Sequence, residues 1–238
     1  MDISYDGSGF RGFARNPGVR TVQGVLEESL EIAVRESIDL TVAGRTDAGV
    51  HARHNVISFS VARELDPRRL MRSVNTMLGG EVVVTYSAIV TDDFDARFSA
   101  TGRGYRYFVS TAPVIQPLDR LRVLQIGFEL DESLMNEGVA HLVGLHDFAS
   151  LCRAAKGRST MRNLRTVNWS REGDRFTLLV EGSSFCHQMV RSIVALSIDI
   201  GRGKVDPGDV LGIIAARERN ASRGAAPPHG LVLWEIRY

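Results

Sequence analysis

Two stretches of helical period are set among stretches that alternate apolar and polar side chains, and this order limits the folds open to the chain. In the first helical stretch Val22, Val25, Leu26, Leu30, Ala33 and Val34 share one face behind Thr21. The second opens with Asp66-Pro67, runs to about Leu78 and ends at Gly79-Gly80. Thr and Asp accept from the first free amides of a helix, Pro suits its first turn, and Gly closes it. Alternation around Ile3 and Tyr5, and over 39–43, 54–61 and 82–90, predicts strands. The order is β-α-β-β-α-β, which buries two helices against one face of a sheet. Because alternation starts at the first residues, the sequence is expected to begin inside a strand, with further residues upstream.

From residue 103 the order recurs. Strands are predicted over 103–111, 163–171, 174–181 and 231–238, and helices from Asp131 through Val143 and over 186–200. An extended piece near 123–129 and a short helix from Asp206 are additional. The recurrence is one of element order, without a residue-level repeat. The expected fold is α+β: two ferredoxin-like βαββαβ halves, 1–100 and 101–238, sharing a mixed, mainly antiparallel sheet with a cleft where they meet. Two stretches are expected to be irregular: 152–163, basic through Arg153, Lys156, Arg158 and Arg162, and 221–230.

The 238 residues are 44% hydrophobic and 24% charged, the balance of a soluble globular protein. No basic start precedes an apolar core, so no secretory signal is expected. The most apolar helical stretch, Met189 to Ile200, is too short for a bilayer and contains Arg191 and Asp199. Cys152 and Cys186 stand apart without metal-ligand spacing, which predicts isolated thiols, a cytoplasmic location and no structural metal. Net charge is +1, so a polyanion would have to meet a local patch. Lys156 and Lys204 are the only lysines; an arginine bias suits phosphate contacts, and a GC-rich coding sequence would give the same bias.

The stretch Ala43-Gly44-Arg45-Thr46-Asp47-Ala48-Gly49-Val50-His51-Ala52 lies between two predicted strands. Gly44 and Gly49 let the backbone turn and present Arg45, Thr46 and Asp47. Asp47 is the loop's one acid, and a guanidinium two residues away favours its ionised form. Such a carboxylate can act as nucleophile or base, or it can cap its own turn and pair with Arg45. In strand 103–111, Tyr105 and Tyr107 share one face and Arg106 takes the other; the pair either packs in a core or offers a ring to a base. Arg191 sits on an otherwise apolar helix, where it either faces solvent or pairs with a carboxylate, Asp47 being the natural candidate.

Taken in order, Tyr5-Asp6-Gly7, Thr21-Val22-Gln23, Ala43–Ala52, Asp93–Ala100, Tyr105-Arg106-Tyr107, His146-Asp147-Phe148, Phe185–Arg191 and Gly230-Leu231 resemble the tRNA pseudouridine synthases of the A type. These pieces span essentially the whole chain, and the decapeptide is highly specific. Phe13-Ala14 stands where the family usually has Trp-Gln, and Ala226-Pro227-Pro228-His229 alters its late Ala-Pro-Ala loop; both lie outside the expected chemical core.

The resemblance implies an isomerase that converts uridines at tRNA positions 38–40 of the anticodon arm to pseudouridine, with Asp47 as nucleophile. It implies that Tyr105 stacks on the uracil and helps to remove the carbon 5 proton, that Arg191 pairs with the aspartate, and that Arg45 draws out the nucleotide and contacts its phosphate. Arg97 and His51 are further expected substrate contacts. The resemblance also implies a homodimer with tRNA as partner, and no cofactor or metal, since the reaction is an isomerisation. The rival expectations are a catalytically silent RNA-binding protein or chaperone of the same fold, and an aspartate-dependent hydrolase of a small substrate.

Overall fold

The computed structural model describes residues 1–153, 157–222 and 224–238, so Lys156 of the expected basic loop lies outside the described residues. The chain divides into two compact units, Met1–Arg103 with Val232–Tyr238, and Gly104–Leu231.

The first unit follows the expected order: β1 (Asp2–Tyr5), α1 (Val22–Val34), β2 (Thr41–Val42), β3 (His51–Ser58), α2 (Pro67–Met77) and β4 (Val82–Tyr86). Strand β1 lies between β3 and β4, antiparallel to both, and β2 pairs antiparallel with β3. Near the chain's end, Val232 and Leu233 run parallel to His51 and Ala52 of β3. Both predicted caps are in place. Thr21 Oγ1 accepts from the Gly24 amide at 3.2 Å, and Asp66 Oδ1 from those of Arg68 and Arg69 at 2.9 and 3.3 Å. Leu26 and Leu30 of α1, Val74 of α2 and Ile3, Ile57 and Val84 of the sheet are buried together in the core.

Of the strand limits that differ from expectation, two have a clear cause in the pairing. β3 begins at His51, not near residue 54, because Tyr5 of β1 pairs with Ala52 and the terminal strand with His51. β4 ends at Tyr86 because its partner strand runs out: Tyr86 faces Asp2, and Ile89 and Val90 beyond it are exposed.

The second unit contains β5 (Gly102–Ser110, its first two residues in the other unit), β6 (Leu124–Gln125), α3 (Glu132–Ala140), β7 (Gly144–Asp147), β8 (Met161–Glu172), β9 (Arg175–Gly182), α4 (Met189–Gly201) and α5 (Asp209–Ala215); β10 (Leu231–Arg237) follows and from Val232 on belongs to the first unit. Its strands run in the order β5-β9-β8-β7, with β8 antiparallel to both neighbours and β6 parallel to β5. Asp131 caps α3 through Leu134 at 3.1 Å. Strand β7 was not expected. It is a short edge strand whose Leu145 is exposed, so it lacks the alternation of a half-buried strand. Its pairing also draws Met161 and Arg162 of the expected basic loop into β8. Helix α4 starts at Met189 and not at 186, since Gln188 has a left-handed backbone, φ 64°.

The same device docks a helix in each unit. Asn75 of α2 donates to the Val84 carbonyl at 2.9 Å and accepts from its amide at 2.8 Å. Asn136 of α3 does the same to Trp169 of β8, at 2.9 and 2.8 Å. A side-chain amide presents the donor–acceptor pair of a missing strand neighbour, so the backbone it meets stays satisfied. Among the described residues, no helix is long and apolar enough to cross a membrane.

Candidate active site

The decapeptide forms the turn between β2 and β3 and is held from below by buried side chains. Asn55, on β3, has its whole amide on Gly44: Oδ1 accepts the Gly44 N–H at 3.1 Å and Nδ2 donates to the Gly44 carbonyl at 2.7 Å. Its Nδ2 also reaches Tyr5 Oη at 3.4 Å, and that hydroxyl lies 2.8 Å from Thr46 Oγ1. With Thr46 turned inward, the flanking Arg45 is exposed and Asp47 half-exposed. Burial pushes the Tyr5 phenol up to about 12, its bonds to Thr46 and Asn55 pulling the other way, so it remains a neutral hydroxyl at physiological pH.

The Gly-rich segment after β1 closes the turn from the other side. Phe13 N–H donates to the Thr46 carbonyl at 3.0 Å and Gly49 N–H to that of Phe10 at 3.3 Å. A Cβ on Gly7 would collide with the Val50 carbonyl, so only glycine allows this approach. Gly7 N–H donates to His51 Nδ1 at 3.1 Å, which places the ring proton of a neutral His51 on Nε2. Asp6 Oδ1 stands 3.2 Å from the same Nδ1. His51 is therefore a buried support of the Asp6–Gly9 turn.

Arg97 is exposed on the loop after β4, next to Phe98, which is 80% exposed and lies 5.4 Å below its guanidinium. Asp95 shapes that loop by accepting from the amides of Arg97 and Phe98 at 2.7 and 2.8 Å. Arg103 then ties it to the decapeptide: its guanidinium donates to the Ala43 carbonyl at 3.0 and 3.2 Å and to that of Arg97 at 2.8 Å. Arg45, Asp47, His51 and Arg97 thus belong to the first unit, and Tyr105 and Arg191 to the second.

In the second unit Tyr105 is 8% exposed and meets Phe185 edge to face, ring centroids 5.0 Å apart. Tyr107 shares its face, as the alternation predicts, and its hydroxyl donates to the Pro227 carbonyl at 2.8 Å. Burial raises the Tyr107 phenol, and the charge of Arg191 opposes this. Arg191, on α4, donates through Nε to the Ala226 carbonyl at 2.7 Å, and its own carbonyl accepts from the Ala226 amide at 2.9 Å. Ala226 and Pro227 are so fastened to Arg191 and Tyr107 respectively.

Cys152 and Cys186 are not the isolated thiols expected. They are bonded to each other, Cα atoms 5.7 Å apart, and beside them the Arg153 amide donates to the His187 carbonyl at 2.9 Å. Sequence reasoning also missed Asn55 and Arg103. Asn55 could have been found, since a polar side chain within a strand's apolar run needs partners. Nothing in the sequence singled out Arg103. Among the described residues, no group of three His, Cys, Asp or Glu side chains could hold a metal ion.

A family model described as tRNA pseudouridine synthase matches residues 3–99 and 139–238. The chain belongs to the tRNA pseudouridine synthase family. It is 39% identical to the tRNA pseudouridine synthase A of Leifsonia xyli, over all of this chain and 90% of that protein. It is 36% identical to that of Bacillus subtilis, over 99% of this chain and 97% of that protein, and 38% identical to that of Streptomyces griseus, over 100% and 87%. Both matched segments of the family model include residues expected to form the site: Arg45, Asp47, His51 and Arg97 in the first, Arg191 in the second. Tyr105 falls between them, in a stretch that the full-length relatives cover.

Proposed function

We propose that this pseudouridine synthase family member acts on uridines 38–40 of the tRNA anticodon arm, with Asp47 as nucleophile. The N1–C1′ bond of the uridine breaks, the uracil turns, and carbon 5 bonds to C1′ as its proton leaves and N1 regains one. Atoms and electrons balance within one nucleotide, so the isomerisation consumes no co-reactant. The Asp47 carboxylate adds to the nucleotide and leaves again. Arg191 would pair with that carboxylate, Tyr105 would lie against the uracil and assist proton loss from carbon 5, and Arg45 would engage the phosphate of the extruded nucleotide. The anticodon arm would be held by its backbone and shape through Arg45, Arg97 and the 153–162 segment, with His51 acting by supporting the loop. A homodimer in the cytoplasm fits a chain of net charge +1, because two modest basic surfaces combine on one tRNA.

The observation that carries this reading is the grip on the decapeptide. Gly44 and Thr46 are fixed from within by Asn55 and Tyr5, while Asp47 is left half-exposed between them and Gly49. A turn so held presents its carboxylate in one position, as a nucleophile requires. The test is pseudouridine formation in an unmodified tRNA by wild type and Asp47→Asn, with folding and tRNA binding measured for both. Conversion by wild type and none by a folded, binding-competent Asp47→Asn is expected. Full activity in Asp47→Asn would overturn the role of Asp47, and binding without conversion by wild type would leave an RNA-binding protein.

A further inference from the structure

Phe98 is 80% exposed, more than any other Phe, Tyr or Trp among the described residues. The loop beneath it is nevertheless fixed from several sides. Besides the two amide bonds that Asp95 accepts, the Asp95 amide donates to Ser99 Oγ at 3.1 Å, and the Ser99 amide donates to the Asp95 carbonyl at 2.9 Å. The Ala96 amide donates to Ser58 Oγ at 3.0 Å, and Tyr238 Oη donates to the Ala96 carbonyl at 2.8 Å. Ala96 is fully buried, and the Phe94 ring packs on that of Tyr238, centroids 5.0 Å apart. Phe98, the loop's other ring, is left in water. All of these residues lie in the first unit.

A phenyl ring in water adds nothing to the core. What lies against it is a cation: the Arg97 guanidinium sits over the ring, and among the described residues no carboxylate pairs with that guanidinium. An aromatic face beside an unpaired guanidinium matches the two parts of a nucleotide, a base that stacks and a phosphate that accepts charge-assisted bonds. Because the backbone is held, little freedom is lost when the ring stacks. Arg103 bonds to the carbonyls of both Arg97 and Ala43, so a nucleotide held here is held by a loop tied to the decapeptide. We propose that Phe98 is a stacking platform for an unpaired base of the RNA substrate, with Arg97 on the phosphate of the same nucleotide. The inference rests on the reading that RNA is this chain's substrate, and it adds a base contact to the substrate contact expected of Arg97.

The experiment measures affinity for an unmodified tRNA over a salt series for wild type, Phe98→Ala, Phe98→Trp and Arg97→Gln, with thermal midpoint and oligomeric state recorded without RNA. Phe98→Ala is expected to keep the midpoint and to lose about fivefold to 150-fold in affinity, at an unchanged slope of log affinity against log salt, because stacking displaces no counterions. Arg97→Gln is expected to lower that slope by about 1. Phe98→Trp should keep the affinity, and its indole emission, taken relative to wild type with Trp169 and Trp234, should be quenched by tRNA. Wild-type affinity in Phe98→Ala would overturn the proposal. So would a changed oligomeric state in Phe98→Ala, which would make the ring a contact between copies of the chain. Should Phe98→Ala fail to fold, the emission of Phe98→Trp decides: quenching supports the platform, and unchanged emission overturns it. Pseudouridine formation by wild type is scored separately. Stacking without conversion keeps the platform and loses the isomerase reading, whereas conversion with wild-type affinity in Phe98→Ala does the reverse.

Discussion

Tyr5 Oη lies 2.8 Å from Thr46 Oγ1, in a contact buried from solvent. Through it the first strand grips the residue that precedes Asp47, 41 positions further along the chain. Tyr5→Phe removes that hydroxyl and leaves the ring, which packs on Phe13 at 6.1 Å. Loss of the bond is expected to cost about 1 kcal/mol of stability. A loosened turn misplaces the carboxylate, so kcat should fall by about tenfold to a hundredfold while tRNA affinity stays at the wild-type value. Steady-state kinetics with a parallel binding titration reads the split. An unchanged kcat would mean that the turn holds its position without this bond.

The same hydroxyl predicts an alkaline limit. Burial raises the Tyr5 phenol to about 12 in the folded chain, against about 10 when unfolded. A folded pKa above the unfolded one means that the stabilisation is complete below the unfolded value and is lost as pH rises through the folded one. Tyr107 and Tyr238 are raised as well, in both cases chiefly by burial, so their loss adds in the same direction. Thermal midpoints should therefore hold up to about pH 10 and decline towards pH 12. Tyr5→Phe should decline less steeply over that window, and a parallel decline would show that Tyr5 does not contribute to it.

The bond between Cys152 and Cys186 joins residues 34 apart and ties the turn Ala149–Leu151 to the segment leading into α4. A cross-link of this kind typically stabilises by about 2–4 kcal/mol, through the closed loop it imposes on the unfolded chain. Reductant is expected to lower the thermal midpoint of wild type, and Cys186→Ser should show the lower midpoint with or without reductant. Equal midpoints for wild type in both conditions would remove the cross-link as a source of stability.

Much of the fold could be read from the sequence because its signals are local. Thr21, Asp66 and Asp131 are caps whose partners lie two or three residues away, and all three cap the predicted helices. The α1 face and the Tyr105/Tyr107 alternation likewise follow from periodicity alone. What the sequence concealed depends on distant partners. His51 reads as a loop residue until Val232 is known to run beside it. Strand β7 carries no buried alternation because it is an edge, and Cys152 and Cys186 meet only when α4 folds back to the turn after β7. For the site, the decapeptide was legible as a Gly-bracketed turn with one acid, whereas its supports were not. Tyr5 and Asn55 lie 50 residues apart and converge only through the pairing of β1 with β3.

Asn136 separates effects on the fold from effects on the turn that holds Asp47. Its amide satisfies both backbone groups of Trp169, as Asn75 does for Val84 in the other unit. Asn136→Ala leaves two partly buried backbone groups without partners and should cost about 1–3 kcal/mol, seen as a lower midpoint in urea. The two bonds of the Asn136 amide both go to Trp169 of β8, so kcat of the folded variant at saturating tRNA should match wild type, unlike that of Tyr5→Phe. Asn136→Asp refines the test. Its carboxylate can accept from the Trp169 amide but faces the Trp169 carbonyl oxygen with negative charge, which favours the protonated form in the folded chain. A folded pKa raised above the unfolded value gives stability that is present at low pH and lost as pH rises. The deficit of Asn136→Asp relative to wild type should therefore be smaller near pH 4 than near pH 7, the unfolded aspartate titrating at about 3.9. A deficit that does not narrow on acidification would mean that the Trp169 carbonyl does not depend on the Asn136 amide.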